Sequence, residues 1–230
     1  MSRGVLYVVW NNVPGGRHDF VLQRSIRSLR RHHPELEHHV AELEGSATLL
    51  DKSRMFDLSP FEETLYLDAD TIVMGRLDFG FEQAERHHVA CAICEAPFAC
   101  RYRESIRGDV IEYNTGVIFF TRARESRRVF EEWKRLAPLI DSSVIYLNPD
   151  GTQGKMPVND QASFAKAVHD LEFNPRVLPE NWNFRPHFMH DFFGPIKIWH
   201  AYADPPPGLI EFNDQVAGAP LGVWGFSRIG

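Results

Sequence analysis

Two aspartates one residue apart, Asp68 and Asp70, directly follow the apolar run Leu65-Tyr66-Leu67 and directly precede Thr71-Ile72-Val73. Open α/β sheets bind ligands beyond the carboxyl ends of their strands, so a carboxylate pair placed there is well sited to converge on one hard divalent cation. Mg²⁺ or Mn²⁺ held in this way completes its shell with water and substrate phosphate. A diphosphate bound to such an ion becomes a good leaving group, because the ion stabilises the charge that develops as the bond breaks. The plainer reading of an isolated Asp-x-Asp is a turn or cap after a strand. Apolar runs on both sides of the pair favour the metal reading here.

Two other enzyme classes use related patterns. Haloacid-dehalogenase-like phosphatases need a threonine four residues after the first aspartate, where this chain has Ile72. Their motif also stands near the chain start, whereas a strand, a helix and a second strand come first here. Nucleotidylyltransferases open with a Gly-rich basic loop, of which Gly15-Gly16-Arg17 is only an echo.

Carboxylates so placed need a sheet to carry them. Short apolar runs alternating with helical patterns predict an α/β domain with a mostly parallel sheet. A first strand over residues 4–10 ends in the turn-rich Asn11-Asn12-Val13-Pro14-Gly15-Gly16. The next helix runs to Arg31 and buries Phe20, Val21, Ile26 and Leu29, with Pro34 closing it. Strands are expected near 39–43 and at 64–67, with a short helix around 52–58 between them. Residues 88–94 and 115–121 read as strands. The clearest helix spans 123–139, where Val129, Phe130, Trp133, Ala137 and Ile140 share one face. Residues 141–157 read as a loop, 159–169 as a helix and 171–178 as a strand. A last strand, 196–199, delivers His200 to the sheet edge. Pro205-Pro206-Pro207-Gly208 is a stiff break. It divides a catalytic domain, residues 1–208, from a tail, 209–230, suited to packing, a partner or a membrane surface.

Composition narrows the function. Hydrophobic residues at 43% and charged residues at 24% supply a real core in 230 residues and argue against disorder. A net charge of −6 without a long basic run disfavours nucleic-acid binding, which needs clustered Lys and Arg. Three cysteines, Cys91, Cys94 and Cys100, cannot pair completely, which fits a reducing compartment and a cytoplasmic location. The N-terminal apolar run is too short for a membrane span.

The stretch from Ser53-Arg54 through Asp68-Ala69-Asp70 resembles the donor-site signature of GT-A fold glycosyltransferases, closest to glycosyltransferase family 8 and its glycogenin-like members. Further pieces follow in that family's order: Asn114-Thr115-Gly116, Asn159-Asp160-Gln161 and His200 after Ile196-Lys197-Ile198-Trp199. The resemblance implies a GT-A fold and sugar transfer from a nucleotide sugar, generally a UDP-sugar, with retention at the anomeric carbon. It implies that Asp68, Asp70 and His200 hold Mn²⁺ or Mg²⁺ and that Arg54 contacts the donor. It also implies that Val9-Trp10-Asn11 hold the base, and that Asn114, Asp160 and Gln161 bind the sugar's hydroxyls. The acceptor is not carried over. A neutral imidazole suits such ions, and Asn or Asp at element ends suits hydroxyls. Taken singly, Asn159-Asp160 reads equally well as a helix cap.

Two departures stand out. The family's Gly-x-x-Lys-Pro-Trp after the histidine is replaced by Ala201-Tyr202-Ala203-Asp204-Pro205, so either another cation helps hold the diphosphate, with Arg185 and Arg228 as candidates, or closure over the donor differs. The stretch 96–113, with Arg101, Tyr102, Arg103 and Arg107, stands where acceptor loops vary. The cysteines read as small buried hydrophobes rather than a zinc site. The pairs His32-His33, His38-His39 and His87-His88 read as solvated, and Asn181-Trp182-Asn183-Phe184 as packing or pocket wall.

Overall fold

Six strands form the main sheet in the computed structural model, which describes residues 2–95, 110–141, 143–147, 150–156, 158–217 and 226–228. The chain begins with β1 (Arg3–Trp10), α1 (Arg17–His32), β2 (Glu37–Leu43), a 3₁₀ turn over Leu49–Arg54 and α2 (Met55–Leu58). Next come β3 (Glu63–Leu67), β4 (Thr71–Val73), α3 (Asp78–His87), β5 (Val89–Ile93), β6 (Tyr113–Thr121) and α4 (Arg124–Leu136). A hairpin of β7 (Val144–Leu147) and β8 (Gln153–Met156) leads to α5 (Gln161–Asp170) and β9 (Arg176–Leu178). β10 (Asp191–Phe193), β11 (Ile198–His200), α6 (Pro207–Ala217) and β12 (Phe226–Arg228) follow.

The sheet order is β2-β1-β3-β6-β5-β9, with β6 alone running against its neighbours. Strand side chains alternate between two cores, as a period of two requires. Leu6, Val8, Tyr66, Ile118 and Phe120 meet Phe130, Trp133 and Phe164 of α4 and α5 on one face. Val5, Tyr7, Leu65, Val117 and Phe119 meet Leu22, Ile26 and Phe81 of α1 and α3 on the other. Helices on both faces explain why β1, β3 and β6 read as near-continuous apolar runs. The expected mostly parallel α/β sheet is what the chain forms.

Several local expectations are corrected. Phe20 is 62% exposed, since the buried stripe of α1 runs through Val21, Leu22, Ile26 and Leu29 and leaves position 20 outside it. The expected 141–157 loop contains the β7–β8 hairpin, and the strand expected at 171–178 shortens to Arg176–Leu178. Pro207 opens a helix rather than ending the fold. A proline is tolerated there because the first-turn N–H has no helical partner to lose. α6 buries Leu209, Asn213 and Val216, and Asn213 bonds both the N–H (3.0 Å) and the carbonyl (2.7 Å) of Ile196. Among the described residues no helix is long and apolar enough to cross a membrane.

Candidate metal centre and adjoining cleft

Strand register brings Asp68, Asp70 and His200 together. Leu67 pairs with Val117, and the ladder extends one step as Asp68 N–H donates to the Gly116 carbonyl at 2.8 Å. The chain then turns sharply. Thr71 donates both its N–H (3.2 Å) and its hydroxyl (2.8 Å) to the Asp68 carbonyl, and the Ser25 hydroxyl supports Thr71 at 3.1 Å. β4 pairs antiparallel with β11 so that Thr71 opposes His200, and Ala201 N–H donates to the Asp70 carbonyl at 3.0 Å. One ligand atom from each of Asp68, Asp70 and His200 therefore lies within 4.8 Å of the others. His200 Nε2 is 3.3 Å from Asp70 Oδ1 and 3.7 Å from Asp68 Oδ2.

These residues fit a divalent cation. Carboxylate oxygens and an imidazole nitrogen are a suitable donor set. His200 Nδ1 lies 2.7 Å from Asn183 Oδ1, so an Nδ1 proton donated there leaves the Nε2 lone pair facing the carboxylates. A Cβ at Gly116 would overlap the His200 ring and lie 2.7 Å from Asp68 Oδ2, so the glycine keeps the space in which the two ligands meet. Without a metal, burial works to raise the Asp70 pKa, but the charge and hydrogen bond of a protonated His200 outweigh it and hold the carboxyl down to about 2.

Lys52 was not expected from the sequence. Thr48 and Asp51 form a capping box on the 3₁₀ turn, which sends Lys52 inward and Arg54 outward. Lys52 Nζ, with its side chain 3% exposed, reaches Asp68 Oδ1 at 2.9 Å and Asp160 Oδ2 at 3.3 Å. Burial pushes its pKa down, yet Asp160 and Asp68 more than reverse this and keep it above the ordinary lysine value. Tyr66 donates its hydroxyl to Asp68 Oδ1 at 2.6 Å, and burial with the Asp68 charge holds the phenol protonated. Thr115 donates to Asp160 Oδ2 at 2.5 Å. With His200 neutral, three carboxylates and one ammonium leave two negative charges, which one divalent cation would balance.

A cleft of about 350 Å³ opens beside this centre. It is lined by Val9, Trp10 and Asn11 from the end of β1, by Asp68, Ala69 and Asp70, and by His200. Val9 and Trp10 end β1, Asn11 and Asp68 directly follow β1 and β3, and Asp70 directly precedes β4, so the cleft sits at the carboxyl ends of the sheet, where open sheets present ligands. Asn11 takes a left-handed φ of 52°, which asparagine tolerates, and its amide donates to the Gly45 carbonyl at 3.0 Å. His18, Leu49, Lys52 and Tyr202 also line the cleft and were not expected. Arg54 does not line it; its side chain is exposed and lies 3.4 Å from Asp51.

The remaining expected residues do not line the cleft. Asp160 is 4% exposed and joins the centre through Lys52. Asn114 accepts from Gly116 N–H at 2.9 Å, and Gln161 Nε2 donates to Glu112 Oε1 at 2.6 Å. Arg185 pairs with Glu95 at 3.2 Å, while burial pushes the Glu95 carboxyl up against that pairing. Arg101, Tyr102, Arg103, Arg107 and Cys100 lie outside the described residues, as does the side chain of Arg228. Cys91 and Cys94 are buried, and Cys94 Sγ accepts from Gln161 Nε2 at 3.4 Å.

A second set of ligand types, His33, Glu35 and Asp78, is satisfied without a metal. His33 is buried, which corrects its reading as solvated. Its Nε2 accepts the Leu77 N–H at 2.8 Å, and its Nδ1 lies 3.0 Å from Glu35. Arg76 pairs with both Glu35 and Asp78 at 2.9 Å.

No protein-family model matches the chain, and no curated protein matches it in sequence. Solved structures do. The galactosyltransferase LgtC, in complex with donor and acceptor sugar analogs, is similar with TM-score 0.55 and 12% identity, over 96% of this chain and 97% of that one. Mouse xyloside xylosyltransferase 1 gives 0.59 and 13%, over 90% of this chain and 99% of that one. The glycosyltransferase GlyE of Streptococcus pneumoniae TIGR4 gives 0.51 and 14%, over 96% of this chain and 61% of GlyE. Identities this low establish architecture: the chain has the GT-A fold.

Proposed function

We propose that this chain is a metal-dependent glycosyltransferase, moving a sugar from a UDP-sugar to an acceptor with retention at the anomeric carbon. The observation that carries the reading is the convergence of Asp68, Asp70 and His200 in a cleft that also takes in the end of β1. The order of motifs, closest to glycosyltransferase family 8, supports the same reading, as does the fold shared with LgtC.

In this reading Asp68, Asp70 and His200 hold Mn²⁺ or Mg²⁺, which would neutralise charge on the departing diphosphate. Val9, Trp10 and Asn11 receive the base. Lys52 locks Asp68 and Asp160 into one arrangement before substrate arrives, so that little reorganisation accompanies reaction. Asn114, Asp160 and Gln161, whose side chains are held in internal hydrogen bonds, would reach the sugar's hydroxyls by exchanging those partners. A retaining transfer needs no dedicated base, because the departing phosphate takes the acceptor's proton.

The test is release of UDP from a panel of UDP-sugars in the presence of Mn²⁺ or Mg²⁺. Slow hydrolysis of one donor, abolished by chelator and by Asp70→Ala, is the expected result. Absence of release from every nucleotide sugar offered, with metal present, would overturn the proposal.

A further inference from the structure

A second concavity, of about 260 Å³, lies between α1, β4 and α6. Arg24, Arg27, Arg31 and His32 line it from α1, at helical spacings of three, four and one that place them on one side of the helix. Met74 and Ile210 give it an apolar flank, and Asp214 is its single acidic residue. In a chain of net charge −6, this is a local excess of positive charge.

Among the described residues, two of the three arginines are left unpaired by the fold, and the third is only partly satisfied by it. Arg27 and Arg31 are exposed and have no hydrogen bond or ion pair among the described residues. Arg24 uses its Nη atoms on the carbonyls of Tyr202 (2.7 Å) and Ala201 (2.8 Å), and on Asp204, whose side chain is 77% exposed. Its Nε is buried without a hydrogen-bond partner. Burial, Arg31 and Lys197 all push the His32 imidazole toward its neutral form, with Asp214 opposing. Like charges held along one helix face repel, and an anion between them would remove that repulsion. Guanidinium forks match phosphate oxygens in geometry, two N–H groups at a time. The volume falls just below the usual range for drug-sized ligands, which suits a phosphate carrying a small organic group.

We propose that the groove formed by Arg24, Arg27 and Arg31 is a second anion site, taking the phosphate of a phosphomonoester apart from the cation-centred cleft. The proposal does not depend on the sugar-transfer reading. Arg24 joins the groove to the segment after His200, so an occupant would compete with Asp204 for this side chain.

Thermal unfolding of the full chain in chelator, with inorganic phosphate against chloride at matched ionic strength, tests the site directly. Phosphate near a hundred times its Kd should raise Tm by roughly 5–10 °C. The paired variant Arg27→Glu, Arg31→Glu should lose the rise, while Asp70→Asn keeps it. Should the Glu pair unfold, Arg27→Gln with Arg31→Gln preserves bulk and gives the same readout. Sedimentation with phosphatidic acid vesicles, against phosphatidylcholine vesicles, assigns the phosphate's source. Arginine-dependent binding to the acidic vesicles alone identifies a lipid headgroup, and a soluble response alone identifies a free ligand. No response in either arm, or one that survives the arginine variants, overturns the proposal.

Discussion

Lys52 and Asp70 carry opposite signs of linkage at the same centre. Lys52 has its pKa raised, so its contribution to stability is present below the ordinary lysine value and is lost only as pH rises through the folded value. It is therefore constant across the neutral range. Removing one partner from a buried ion pair costs about 3–5 kcal/mol. Lys52→Met should show a urea-unfolding deficit of that order in chelator, and Mn²⁺ should shrink it. Asp70 has its pKa depressed to about 2, so its contribution is present above the ordinary aspartate value and is lost as pH falls toward 2. That contribution is worth about 2 kcal/mol. The stability gap between wild type and Asp70→Asn, measured in urea without metal, should close between roughly pH 4 and pH 2. Asn183→Ala keeps all three ligands but frees the His200 ring. It should weaken Mn²⁺ binding by about 10–100-fold in a direct titration. The cluster of Asp68, Asp70 and His200 was legible because a carboxylate pair after a strand has a distinct chemistry. Lys52 and the bond from Asn183 to His200 were not, because their importance lies in what they touch across 16 and 17 residues of chain; Asn183 was expected only as packing or pocket wall.

At the scale of elements, the site is a consequence of register. Gly116 opposes the end of β3, and any Cβ there meets the His200 ring. Gly116→Ala should cost about 1–3 kcal/mol through overpacking and should abolish metal binding even where the sheet survives. Loss of stability with intact metal affinity would contradict this account of the glycine. β1, β3, β6 and α4 were readable because strong periodicity coincides with burial on known faces. β7, β8 and the start of α6 were not. The hairpin lies in a stretch dominated by loop-forming residues, and Pro207 looks like a terminator unless its first-turn position is known.

At the scale of the molecule, charge is arranged unevenly. A net charge of −6 coexists with an acidic candidate metal centre, a buried lysine inside it and an arginine row on α1. The fold class was legible from alternating strands and helices. The basic groove was not, since it forms only when α6 folds back beside α1. The most direct test is a calorimetric titration with UDP, with and without Mn²⁺. Binding that requires the metal and disappears in Asp70→Ala is the expected result. UDP binding of equal strength in chelator, or undiminished in Asp70→Ala, would contradict the account.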